Sequence, residues 1–207
     1  MPNDSGLDIK VTSGVFGSGL YGSLDVMRGE EIQIFGAMQQ LNVEQAVFCL
    51  PGTHSKWCQV SDGEIRSVTT YMTGEMYALI RQNSSVGRVI DADSFDELSF
   101  STGMKAAWEN PDLLNLLFSV RAAALLGKLE VACPASYLSG MLISRELDAA
   151  NRQLNIDEPV VLIANQQLTD RYAIGFKNVG MRPQPLDGET TFLLGMKALV
   201  QDFEPAL

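Results

Sequence analysis

The sequence predicts an α/β lobe, a mixed sheet flanked by helices with a largely helical insertion. Three observations predict it. A β-meander occupies roughly Ala46 to Met72, the pattern from Ser94 to Asn151 is almost wholly helical, and a late β-α-β unit with a final helix follows.

"LDIKVTSG" (7–14) alternates like a strand and runs into a glycine-rich loop, "SGVFGSGLYGS". From Gly29, "GEEIQIFGAMQQL" places Ile32, Phe35 and Met38 at helical spacing, with two glutamates suited to the positive end of the helix dipole. "AVFCL" and "SKWCQV" read as paired strands. Asp62-Gly63, where both residues can take positive φ, turns the chain into a third strand, "EIRSVTTYM". "GEMYALIRQ" is a short helix.

In the insertion, Ser94 and Glu97 approximate a capping box. Pro111 and Gly127 bracket the next helix, and "PASYLSGMLISRELDAAN" forms the third. "PVVLIA" is continuous and β-branched, as in a strand buried on both faces. Helix "QQLTDRYAIGFKN", the short "MRPQPL" and helix "ETTFLLGMKALVQ" complete the lobe.

With 207 residues the chain can build one good-sized core or two modest lobes. Its net charge of −10 and lack of a Lys/Arg-rich block argue against a nucleic-acid partner. No apolar run is long enough to span a bilayer, and "MPNDSGLDIK" has no signal-peptide features, so a cytoplasmic location is expected. Cys49, Cys58 and Cys133 are too few and scattered for a disulfide framework or zinc site, and read as buried thiols.

"GSGLYG" (17–22) matches G-x-G-x-x-G, but no helix opens on its third glycine, so a flexible loop is preferred to a dinucleotide site. His54 is the sole histidine and has neither a nucleophile elbow nor metal-ligand spacing around it. Alone it reads as a turn histidine.

The wider context changes that reading. "VMRGEEIQIFGAM" and "LPGTHSKW", in that order, together with "TTYMTGEMYALI", "LFSVRAAALLGKL" and "YLSGMLISRE", resemble the 2-dehydro-3-deoxygalactonokinase family. The resemblance runs from about Asp8 to the last helix. It implies a ribonuclease H-like, actin-like kinase lobe and transfer of phosphate from ATP, with Mg2+, to the terminal hydroxyl of a 2-keto-3-deoxy sugar acid in galactonate catabolism. The implied partners are a sugar acid and a nucleotide, with no nucleic acid and no membrane; self-association into a homo-oligomer stays open.

The resemblance also implies site residues. "GEExQxxG" is similar to the "GDQxAxxG" segment of related sugar kinases, whose Asp is the general base, and Glu30 stands at that position. The other reading is a helix-start glutamate serving the dipole, which applies equally to Glu31. "PGTH" occupies the place of a phosphate loop, with Gly52 admitting the phosphate, Thr53 offering hydroxyl and N–H, and His54 and Lys56 nearby. Trp57 reads as core. Arg28 and Glu31 are assigned to the substrate, Arg28 as partner for a carboxylate or phosphate. At the adenosine end stand Ala164, Asn165 and Gln166, with Asn165 where the family tends to have a left-handed glycine. Glu189 is read as a helix cap, and no residue is assigned to metal.

One family feature is missing. The superfamily opens with a strand and a D-x-G-T/S turn, whereas "DSGL" at Asp4 has the spacing but lacks the strand and the hydroxyl residue. Residues 1–28 are therefore expected to be the tail of a first lobe with its interlobe loop, and 29–207 a C-terminal lobe. A non-catalytic binding or scaffold lobe and a truncated kinase are the two alternatives.

Overall fold

The computed structural model describes residues 12–19, 22–90, 94–154 and 159–203. Two strands, β1 (Val15–Ser18) and β2 (Leu24–Met27), form an antiparallel hairpin, so residues 15–18 of the expected glycine-rich loop are a strand. No helix opens after Gly22, which removes the dinucleotide reading of "GSGLYG". Most of the strand expected at 7–14 lies outside the described residues, and its described part, 12–14, is not a strand.

The main sheet contains β3 (Ala46–Leu50), β4 (Ser55–Ser61), β5 (Glu64–Tyr71), β6 (Val160–Ala164) and β7 (Gln184–Asp187), in the order β5-β4-β3-β6-β7. β4 runs antiparallel to both its neighbours, whereas β3, β6 and β7 are parallel. This is the mixed sheet expected of an actin-like lobe. Asp62 and Gly63 have φ of 54° and 74°, as the hairpin turn requires.

Period-two alternation decides which side chain faces which layer. Val47, Cys49, Trp57, Val160 and Leu162 pack with Phe100, Met104, Ile143, Leu147, Tyr172 and Phe176 on one face. Phe48, Leu50, Cys58, Val60, Val161 and Ile163 face the other way, onto Ile34 and Ala37. The first layer is supplied by α3 (Glu97–Glu109), α5 (Pro134–Gln153) and α6 (Gln166–Asn178), the second by α1 (Glu30–Leu41). Helix α1 in turn packs against α7 (Gly188–Phe203). A third cluster joins α2 (Thr73–Asn83), α4 (Leu113–Leu125), α3 and α5 into the helical insertion.

Both close helix pairs depend on glycine. A Cβ on Gly36 would lie 1.9 Å from the Thr191 carbonyl oxygen, and one on Gly195 2.0 Å from that of Ile32. In the α3–α5 pair, Gly103 and Gly140 approach the Tyr137 and Phe100 carbonyls as closely. Only a residue without Cβ permits backbones this near.

Three local readings change. Helix α1 turns Ile32, Ile34 and Ala37 inward, while Phe35 is partly exposed. Asp96, not Ser94, caps α3, accepting from the Ser99 N–H at 2.7 Å, while the Ser94 carbonyl accepts from the Ser136 hydroxyl. Helix α4 begins after Asp112, which caps it, so Pro111 lies just outside. The three cysteines are free and buried.

Candidate active site

The carboxyl ends of β3, β6 and β7 meet at a cleft of about 510 Å³. In open α/β sheets, ligands bind where parallel strands end and helices begin. The lining follows that rule: Leu50 through His54 at and just past the end of β3, Ile163 to Asn165 at the end of β6, Asp187 to Glu189 at the end of β7, and Glu30 and Gln33 from α1. The N-terminal ends of α1, α6 and α7 all reach this cleft. Each helix start carries partial positive charge and free N–H groups, so the convergence favours an anion despite the acidic sequence.

Gly29, at φ 111°, is the residue before α1, a backbone state that other residues rarely adopt. It sets Glu30 at the junction of this cleft and a second cavity of about 430 Å³. Oε2 of Glu30 is buried and finds no hydrogen-bond partner among the described residues. Glu31 lines neither cavity, and its Oε1 is also buried with no hydrogen-bond partner among the described residues. It is buried, and its Oε2 accepts from the Gly29 N–H at 2.6 Å, a brace for the helix start.

The Pro51-Gly52-Thr53-His54 corner rests on the first turn of α2. The Glu75 N–H donates to the Thr53 carbonyl at 2.9 Å, and Nε2 of His54 lies 2.6 Å from Oε2 of Glu75. A Cβ on Gly74 would come within 2.4 Å of the Gly52 carbonyl oxygen. Behind the corner, Glu146 is buried, with no ion pair to a cation among the described residues. It accepts from Trp57 Nε1 at 2.9 Å, from the Tyr172 hydroxyl at 2.8 Å and from the Thr73 hydroxyl at the start of α2. Burial raises its carboxyl above the usual range, against the opposing pull of these donors. Trp57 is core, as expected.

The remaining assignments divide. Ala164 and Asn165 line the cleft; Gln166 does not, its amide donating to Asp170 Oδ1 at 2.7 Å. Asn165 is extended, with φ −72°, and caps α6 by accepting from the Leu168 N–H, so no left-handed turn exists there. Lys56 turns away from the corner: its ammonium donates to the Val26 carbonyl at 2.9 Å and to the Thr70 hydroxyl at 2.7 Å. It lines the second cavity with Arg28, Glu30 and the hairpin. Asp187, rather than Glu189, caps α7, accepting from the Thr190 N–H and hydroxyl, bonds that hold its carboxyl below the usual range.

Sequence reasoning missed Gly74, Glu75 and Glu146, whose partners are distant in the chain. Gln33 was visible within "GEExQxxG"; its amide donates to the Gly188 carbonyl at 2.9 Å, tying α1 to the start of α7.

The 2-keto-3-deoxy-galactonokinase family profile matches residues 5–199. The chain belongs to that family. A curated relative from Escherichia coli (strain K12), named 2-dehydro-3-deoxygalactonokinase, is 31% identical over 175 residues, 84% of this chain and 59% of the relative. "Probable 2-dehydro-3-deoxygalactonokinase DgoK1" from Rhizobium meliloti (strain 1021) is 33% identical over 185 residues, 87% of this chain and 60% of that one. The crystal structure of a Sinorhizobium meliloti protein given the same enzyme name superposes with a TM-score of 0.85 at 32% identity, covering 93% of this chain and 65% of that one. The chain thus spans about three-fifths of the length of the curated galactonokinase relatives it matches.

Proposed function

We propose that this chain forms part of a kinase that transfers the γ-phosphoryl group of ATP to the terminal hydroxyl of 2-dehydro-3-deoxygalactonate or a closely related 2-keto-3-deoxy sugar acid. The observation that carries this reading is the meeting of Glu30 and the Gly52-Thr53 corner in one cleft, at the starts of three helices. A buried carboxylate oxygen without a protein partner is costly, and a substrate hydroxyl would satisfy it.

In this reading the nucleotide lies along the ends of β3, β6 and β7. The corner's amides and the Thr53 hydroxyl hold the terminal phosphates, and Ala164 and Asn165 border the adenosine. The sugar acid enters from the second cavity, where Arg28 offers a partner for its carboxylate. The hydroxyl oxygen bonds to phosphorus, the bond from phosphorus to the ADP oxygen breaks, and Glu30 takes the hydroxyl proton. Mg2+ supplies charge neutralisation on the phosphate oxygens when bound. Asp187 and Glu189, which line the cleft, are the carboxylates that would hold it. Among the described residues no cluster of three or more His, Cys, Asp or Glu forms a dedicated cage, and no helix is long and apolar enough to cross a membrane.

The test is a coupled ADP-release assay with MgATP and 2-dehydro-3-deoxygalactonate, run beside calorimetry with MgATP. Turnover above a Glu30→Gln control supports the proposal. Neither turnover nor nucleotide binding by the chain and by its full-length relative would overturn it.

A further inference from the structure

We infer that Glu75 is a positioning residue for His54, holding the imidazole by Nε2 so that Nδ1 is the nitrogen offered to the cleft. The two side chains meet at 2.6 Å although 21 residues separate them in sequence. An ionised carboxylate can only accept, so Nε2 carries the proton and donates it to Glu75. His54 lines the cleft and Glu75 stands outside it, on the first turn of α2.

Main chain and side chain act together here. The Glu75 N–H fixes the Thr53 carbonyl, and the absent side chain of Gly74 lets α2 close onto Gly52. One helix turn therefore sets both the backbone of the corner and the ring beside it. The pair is too open to matter much for folding, with side chains 50% and 36% exposed. Its effect is on tautomer and ring orientation, which the hydrogen bond at one imidazole nitrogen decides for the other.

A chemical consequence follows for the phosphate-donor role assigned to His54, and it rests on the kinase reading above. With Nε2–H held by Glu75, a neutral His54 presents only an Nδ1 lone pair, which accepts. It donates to a phosphate oxygen only as the doubly protonated ring. The site then distinguishes a protonated phosphate or water, which a neutral ring can bind, from a fully ionised phosphate, which requires the imidazolium.

Because His54 is the sole histidine, its ring nitrogens give one unambiguous pair of 15N resonances. At a pH where the ring is neutral, the intact chain is expected to show a single tautomer, with Nε2 protonated and Nδ1 unprotonated. Glu75→Ala should give a mixture of both, and Glu75→Gln, whose amide oxygen still accepts, should restore the single form. Backbone amide spectra report whether each variant is folded; if Glu75→Ala is not, Glu75→Lys serves in its place. Identical tautomer populations in the parent and the variant without an acceptor overturn the inference. Titration with MgATP is the separate arm: the expected tautomer with no nucleotide-induced shift of the His54 signals would sink the phosphate-corner reading and leave the Glu75 assignment standing.

Discussion

Glu30, at the first position of α1, and Thr53, in the corner after β3, line the same cleft. The kinase reading depends on that pairing, since a base on one side of the molecule and a phosphate corner on the other could not act on one hydroxyl. Glu30→Gln keeps size and removes basicity. It should lower phosphoryl transfer by about 10²- to 10⁴-fold, the range for loss of a general base, while MgATP binding by calorimetry stays near the parent value. Loss of binding with no specific loss of turnover would mean that Glu30 holds ligand rather than moving a proton.

Gly74→Ala sets two effects against each other. Replacing glycine within a helix gains about 0.5–1 kcal/mol. The new Cβ would lie 2.4 Å from the Gly52 carbonyl oxygen and 2.8 Å from Thr53 Cα, and such overpacking costs about 1–3 kcal/mol. Backbone cannot swing aside as a side chain does, so net destabilisation is expected in urea unfolding, with weaker MgATP binding. A stabilised variant with unchanged binding would show that the corner is not held by this contact.

Lys56 ties the hairpin to β5. Its ammonium joins the Val26 carbonyl to the Thr70 hydroxyl, which also donates to Asp25 Oδ1. Lys56→Met should speed hydrogen exchange of the β1–β2 amides and leave the MgATP dissociation constant within about twofold, since a lost charged phosphate contact would cost more. A tenfold or larger loss would return Lys56 to the phosphate site.

Two carboxylates give opposite pH dependences. Glu146 is raised in the folded state, so folding holds its proton; its stabilising contribution is complete below the unfolded value and lost as pH rises through the folded one. Asp187 is lowered by its Thr190 bonds, so its contribution is present above the unfolded value and lost as pH falls through the folded one. Urea midpoints against pH should therefore show Glu146→Gln gaining on the parent as pH rises above the ordinary carboxylate range. Asp187→Asn should remove part of the acid-side loss. Parallel curves for parent and Glu146→Gln would mean that Glu146 titrates as an exposed carboxylate does.

The elements of the main sheet and the order of its helices were legible in the sequence, because hydrophobic period and turn chemistry are local. Val47 and Cys49 alternate with Phe48 and Leu50, and Asp62-Gly63 demanded a tight turn wherever the strands went. The segments with "GEE" and "PGTH" were visible as motifs for the same reason. Tertiary structure decided which of their side chains share a space. Strand alternation and the hairpin seat turn Lys56 toward Val26, the cap at α6 occupies Asn165, and only the approach of α2 through Gly74 brings Glu75 to His54. Those outcomes depend on distances between residues far apart in the chain, which no local pattern encodes.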